Sequence, residues 1–312
     1  MKTFIRVVEL WLPDRSRTRL EFGGGLYDGL SEFQSVSEGI HFEFDQGLPG
    51  KAWAARHPIV LKDFANSYFR RTEAAHAAGL TCAVAWPVFA GEFLMAVLVL
   101  FCGDDEEHVG AIELWHNDPK RAYEMRLVDG YFGAAEMFEF NARHIKFPPG
   151  FGLPGRTWKA KAPLLIKDLH NAKRFLRWEP ASEIGINLGI GIPYQNGSDE
   201  FWVMTFLSAL NTPIARRFEI WVPNESRDAL TFSTGDCHSG ADLAAAHAGK
   251  TIAKREGAIG LAWLTGVPAV AENLDGDQSP AATAARDAGM NKMVVLPVLS
   301  AGQLTAAVAW YL

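Results

Sequence analysis

The side chains able to do chemistry in this chain are few and scattered. Its three thiols are Cys82, Cys102 and Cys237. Redox turnover needs an attacking thiolate and a resolving partner. No CxxC spacing joins two of them, and an odd count without a framework reads as reduced cysteines. Cys82 falls mid-strand and is expected to be buried and inert. Cys102, at a strand end before Gly103-Asp104-Asp105, is expected to be the more exposed. Asp63 and Asp168 each close a Lys-Asp pair with no second carboxylate at a matching spacing, so turn capping is a simpler role than acid–base chemistry. The nine histidines form no HExxH or Cys/His cluster; a single haem ligand among them stays open, with surface or core roles favoured. Gly23-Gly24-Gly25 lacks the Lys-Ser/Thr ending of a phosphate loop. The glycine-led helix starts at Gly47 and Gly152, followed by Lys51 and Arg156, offer free backbone N–H groups to an anion. No serine occupies a Gly-x-Ser-x-Gly elbow, and no catalytic constellation emerges.

The elements around these residues come in threes. Gly47-Leu48-Pro49-Gly50-Lys51-Ala52-Trp53 returns as Gly152-Leu153-Pro154-Gly155-Arg156-Thr157-Trp158 and, altered, as Gly257-Ala258-Ile259-Gly260-Leu261-Ala262-Trp263, with 105 residues between successive tryptophans. Upstream stand Glu9-Leu10-Trp11, Glu113-Leu114-Trp115 and Glu219-Ile220-Trp221. Downstream follow Pro58, Pro163 and Pro268, then Gly79, Gly185 and Gly289, then Pro87, Pro193 and Pro297 inside apolar runs. A period of this kind sets the domain count before any other reading. It predicts three units, 1–103, 104–211 and 212–312.

Each unit is expected to hold three strands, a helix, a short strand, a second helix and two closing strands. In the first unit Glu9 and Trp11 alternate to one face, Val8 and Leu10 to the other. A proline in the first helical turn forfeits no hydrogen bond, and Gly79 suits a left-handed helix end. The second helix is placed at about 68–78. Pro87 removes a ladder donor and is expected at a bulge or strand end. The fold class is α+β: three tandem modules, each a central antiparallel sheet with short helices packed on it.

Composition excludes some roles. The 312-residue chain is 48% hydrophobic and 21% charged, ordinary values for a globular protein. With 30 basic and 36 acidic side chains the net charge is −6, which argues against nucleic acid as a partner. No 18-residue apolar stretch and no signal core occur, so no membrane partner is expected, and a cytoplasmic location is.

The ordered marks resemble the GAF domain family. The resemblance is carried by the strand ending Glu-Leu-Trp, the Gly-Leu-Pro-Gly-x-x-Trp helix start, the proline-led strand ending Lys-Asp, the helix closing on Ala77-Ala78-Gly79-Leu80, and Trp86-Pro87-Val88. It covers most of unit one, unit two up to Pro180, and the frame of a degenerate unit three. Met1 lies just before the first strand and the chain ends on Trp310-Tyr311-Leu312, so the modules are expected without the long flanking helices common in that family.

The resemblance implies a non-enzymatic small-molecule sensor or regulatory binding protein, signalling through a separate partner. Its alternatives are an interaction scaffold without ligand and a redox enzyme such as a methionine sulfoxide reductase, whose cysteine in the helix start has no counterpart here. It places a ligand between sheet and helices, against Phe42, Phe44, Trp53, Phe64, Phe69, Cys82 and Trp86 in unit one. In unit two the matching positions are Phe147, Trp158, Leu169, Phe175, Asn187 and Tyr194. Cofactor and ligand identity stay unknown; a protein partner or homodimer is allowed. Cys237-His238 imitates the bilin-attachment pair but follows the second strand of its unit, the wrong place for it.

Overall fold

The computed structural model describes residues 3–27, 29–103, 110–133, 135–169, 177–209 and 212–312. Module one runs β1 (Ile5–Pro13), β2 (Arg19–Leu26), α1 (Ser31–Glu38), β3 (Phe42–Glu43), α2 (Gly47–Ala55), β4 (Ile59–Leu61), α3 (Thr72–Ala77), β5 (Cys82–Ala90) and β6 (Phe93–Cys102). Module two repeats it as β7 (Gly110–Asn117), β8 (Met125–Tyr131), α4 (Glu136–His144), β9 (Lys146–Phe147), α5 (Gly152–Ala160), β10 (Leu164–Ile166), α6 (Trp178–Glu183), β11 (Ile186–Tyr194) and β12 (Phe201–Ala209). Module three follows with β13 (Arg217–Pro223), β14 (Ala229–Cys237), α7 (Leu243–Ala246), β15 (Thr251–Ala253), α8 (Gly257–Thr265), β16 (Ala269–Ala271), α9 (Pro280–Asp287), β17 (Met293–Ser300) and β18 (Gln303–Tyr311).

Each module is one six-stranded antiparallel sheet with the order third, second, first, sixth, fifth, fourth strand. The α+β class therefore holds in all three. The outline read from sequence lacks one element, the helix α1, α4 or α7 between second and third strands. The second helix is also shorter than expected, Thr72–Ala77.

The repeated glycines have backbone jobs. Gly47, Gly152 and Gly257 open their helices at φ 58°, 60° and 59°, a left-handed conformation that glycine adopts without a Cβ penalty. Gly50, Gly155 and Gly260 lie so close to the carbonyls of Glu43, Pro148 and Ala253 that a Cβ would sit 2.1, 2.2 and 2.2 Å from the oxygen. The motif prolines also find a cause. The edge strand β4 pairs with β5 only as far as Ala85, and Pro87 stands just beyond, with a bulge at Val88/Phe89. Pro193 and Pro297 likewise stand past the ends of β10 and β16, the latter again with a bulge beyond it, at Val298/Leu299.

Sheets buried on both faces explain the long apolar runs. The inner face of each sheet packs under its own helices. The outer faces of all three meet in one shared core that includes Val84, Leu98, Ile112, Ile190, Phe206, Ile220, Val294 and Trp310. The modules follow one another head to tail around it. β4 packs on β7 and β8, β16 packs back on β2, and Lys62–Asp129 recurs as Lys167–Asp236, each at 3.1 Å. The ring is a pseudo-three-fold within one chain.

Candidate functional site

Between the sheet and helices of every module lies a buried glutamate. Strand alternation puts it there: in β1, Glu9 and Trp11 point inward while Val8 and Leu10 join the shared core. Glu9, Glu113 and Glu219 are fully buried, and each accepts a hydrogen bond from the indole N–H two residues on, of Trp11, Trp115 and Trp221, at 2.9, 3.0 and 2.8 Å. An unpaired buried carboxylate is prohibitively costly, and each has an arginine. Arg71 Nη2 lies 2.9 Å from Glu9 Oε2 with its Nη1 on Oε1. Arg177 grips Glu113 by the same two-pronged contact.

Module three keeps the pair by another route. Arg71 and Arg177 are the residues that precede α3 and α6, whereas α9 is capped there by Ser279. Its arginine comes instead from β13, two residues before the glutamate: Arg217 Nε donates to Glu219 Oε1 at 2.7 Å. His247 Nε2 lies 2.8 Å from the same oxygen. Burial alone would raise the Glu219 carboxyl, but the His247 hydrogen bond, the charges of Arg217 and His247 and the Trp221 N–H together hold it below its ordinary value. The cation is kept while its position in the sequence changes.

In module one the guanidinium is ringed by aromatic faces. Arg71 Cζ lies 4.8 Å from the Phe33 ring centre, 5.2 Å from Phe101, 5.5 Å from Phe69, 5.6 Å from Trp11 and 5.9 Å from Phe42. Tyr27 and Ser37 hydroxyls donate to Glu9 Oε1 at 3.0 and 2.8 Å. The neighbouring carboxylate and, above all, burial push the Tyr27 hydroxyl pKa strongly up. In module two Phe138, Trp115 and Phe147 flank Arg177.

The residues expected to line a pocket divide between three places. Phe42, Phe64 and Phe69 come together in the module interior, with Phe64 stacked on Phe69 at 4.2 Å. Phe44 is 57% exposed and meets half-buried Trp53 edge-on outside that cage. Cys82 and Trp86 lie on the opposite face of β5, in the shared core, because even positions of that strand point outward. Tyr194 is on that outer face too. Phe147 and Leu169 are in the interior of module two, with Trp158 against its edge. Phe175 lies outside the described residues. The buried Asn187 Oδ1 and Thr157 Oγ1 have no hydrogen-bond partner among the described residues.

The thiols are poorly placed for catalysis. Cys102 is fully buried, against the exposure expected for it, because β6 continues to that residue and carries it into the shared core. Burial pushes its thiol pKa well up. Cys82 faces Cys102 across the β5–β6 ladder, and Cys237 is also buried, 3.1 Å from Ser239 Oγ. Asp63 caps a turn by accepting from the backbone N–H groups of Ala65 and Asn66 at 3.0 and 3.1 Å. No group of three potential metal ligands occurs among the described residues, and none of their helices is long and apolar enough to cross a membrane.

Neither the family models nor the curated protein sequences give a match. Solved structures do, each over about one module. The GAF domain/HD domain protein from Geobacter sulfurreducens is 15% identical over 32% of this chain and 64% of its own, with a TM-score of 0.27. The free methionine-R-sulfoxide reductase from Neisseria meningitidis is 18% identical over 31% of this chain and 52% of its own, at 0.25. Both matches span less than two thirds of the solved chain. The NreA protein from Staphylococcus aureus, mutated in its nitrate binding site, is 14% identical over 35% of this chain and 80% of its own, at 0.28. The modules are GAF-like. At these identities the likeness concerns the fold. The modules of this chain each hold a buried carboxylate paired with a captive arginine, and their sheets share one core.

Two GAF-like modules are also joined by a stack of rings. Trp202 of module two is sandwiched between His57 of module one and its own His116, at 4.0 and 3.9 Å between centres. Burial is the main cause that lowers the His57 pKa from 6.5; nearby His116 lowers it further, while the Pro58 carbonyl and Glu200 oppose. The folded imidazole is therefore neutral when the unfolded one starts to protonate. Its contribution to stability is complete above about 6.5 and is lost as pH falls from there through the lowered folded value. Urea midpoints of wild type and His57→Gln at pH 7.5 and 5 check this: wild type is expected to lose more stability between the two.

Proposed function

We propose that the chain is a non-enzymatic small-molecule sensor or regulatory binding protein of the cytoplasm, read by a separate partner. The observation that carries this reading is the carboxylate–guanidinium pair held among aromatic faces between sheet and helices. A few convergent polar groups in an aromatic enclosure make a recognition site; the hydroxyls there, of Tyr27 and Ser37, donate to a carboxylate that Arg71 already neutralises, which is a poor general base. Flat π-faces around a carboxylate suit a cation, so the ligand class that fits is a small guanidinium, amidinium or ammonium compound, which takes the place of the arginine against Glu9. In this reading Phe42, Phe64 and Phe69 belong to the site in module one, and Phe147 beside Arg177 to the corresponding one in module two.

The second reading, a scaffold without ligand, is favoured by one observation: Arg71 itself fills the enclosure. Native mass spectrometry of protein purified without added ligand separates the two. A mass above the 34.3 kDa chain, with fragments from an organic cation, supports the sensor. A bare chain that takes up no cationic metabolite from a mixed extract supports the scaffold.

A further inference from the structure

The pseudo-three-fold arrangement makes a site that no single module contains. Each module sends the end of its fifth strand and the hairpin turn after its motif proline to one end of the ring. There Pro87, Pro193 and Pro297 line a common cavity of about 290 Å³. The turns at Gly91, Gly197 and Gly302 form its rim. Its walls differ where the repeats differ. The positions after the prolines are Val88, Tyr194 and Val298, and Trp86 precedes the first proline and meets Tyr194 edge-on at 5.5 Å.

The cavity is held open from outside. The Tyr194 hydroxyl and Asn196 Nδ2 both donate to the Arg56 carbonyl at 2.9 Å. That carbonyl belongs to the left-handed residue ending α2 (φ 59°), so module two's hairpin is fixed to module one's helix. Arg56 in turn donates to the Gly91 carbonyl at 2.9 Å and lies over the Phe89 ring at 4.2 Å. These bonds keep the rim apart where apolar walls alone would close together.

We infer that this axial cavity is a second binding site, for an uncharged planar aromatic heterocycle of one or two rings. Its size stands at the lower end of ligand pockets, roughly 300 Å³ upward. Among the described residues no charged side chain lines it, and a ligand charge without a partner there would be costly to desolvate. Prolines, Trp86 and Tyr194 offer flat faces. Among the polar groups, Asn196 is engaged with Arg56 and Ser198 and Gln195 with Ser198. The Tyr194 oxygen, used as a donor, retains its lone pairs for one ring N–H or O–H. All three modules supply walls, so the site exists only in the assembled chain.

The test uses the full-length protein and 5-bromoindole. In co-crystals, bromine anomalous scattering is expected between Pro87, Pro193 and Pro297. In solution, Val298→Phe, which fills the cavity from module three, is expected to weaken 5-bromoindole binding about tenfold or more. The charged 5-bromoindole-3-carboxylate is expected to bind as weakly to wild type. Bromine inside a module beside Arg71, at the outer surface only, or nowhere overturns the axial site, as does a folded Val298→Phe protein with unchanged affinity. A cation found beside Glu9 by mass spectrometry leaves this outcome untouched, since the two sites share no residue.

Discussion

Arg71→Met is expected to lower the stability of the full chain by about 3–5 kcal/mol, the usual consequence of removing one partner of a buried ion pair. Glu9 is fully enclosed by the sheet, α1 and the aromatic ring cluster, so the carboxylate cannot turn to water. Trp11, Tyr27 and Ser37 still donate to it, but neutral donors do not replace a cation. The double variant Glu9→Gln/Arg71→Met is expected to be more stable than Arg71→Met alone. Glutamine keeps one acceptor oxygen, enough for the Tyr27 and Ser37 hydroxyls though not also for the Trp11 N–H, and removes the unpaired charge; methionine refills the space with apolar volume. Arg217→Met in module three is expected to cost less than Arg71→Met, because His247 still faces Glu219 Oε1 at 2.8 Å. Urea unfolding of the four proteins checks this. A loss under about 1 kcal/mol for Arg71→Met would mean that the pair contributes no more than a surface one.

The second large effect concerns the helix starts. Gly50→Ala, Gly155→Ala and Gly260→Ala are each expected to cost about 1–3 kcal/mol, the range for a methyl forced into a packed site. The obstacle in each case is a backbone carbonyl at 2.1 or 2.2 Å from the new Cβ. That carbonyl is tied down by the loop, because the Gln46, Phe151 and Glu256 N–H groups donate to it. A side chain could rotate away; this oxygen cannot without opening the turn. Gly91→Ala is the control. Its φ of 59° is unfavourable for alanine, but nothing lies within 4 Å, so about 1 kcal/mol is expected. Gly50 has no left-handed backbone, so a loss there no larger than at Gly91 would contradict the carbonyl obstacle.

The three-fold register was legible because loops and caps repeat at fixed spacing. Left-handed helix ends at Arg56, Lys161 and Gly266 keep the same 105-residue step, although only the last is a glycine. The helix α1 was not legible: Leu30 precedes it without a side-chain cap, and only Phe33 and Ser37 are buried. The faces of β5 could not be read either. With module interior on one side and shared core on the other, all its positions through Val88 are buried, so no polar alternation marks which of Cys82, Trp86 or Pro87 looks inward. The candidate site left one signal, a glutamate between apolar strand residues in all three repeats. Its cation left none, being 62 residues away in module one and two residues away in module three.

The most direct test of the recognition site uses Arg71→Ala, which removes the captive guanidinium. Native mass spectrometry with methylguanidinium is expected to show one cation bound per Arg71→Ala chain, since Arg177 and Arg217 keep the other two enclosures filled. The double variant Glu9→Gln/Arg71→Ala is expected to bind none. A folded Arg71→Ala protein that ignores methylguanidinium, or binds it equally without Glu9, would contradict the claim that this enclosure recognises cations.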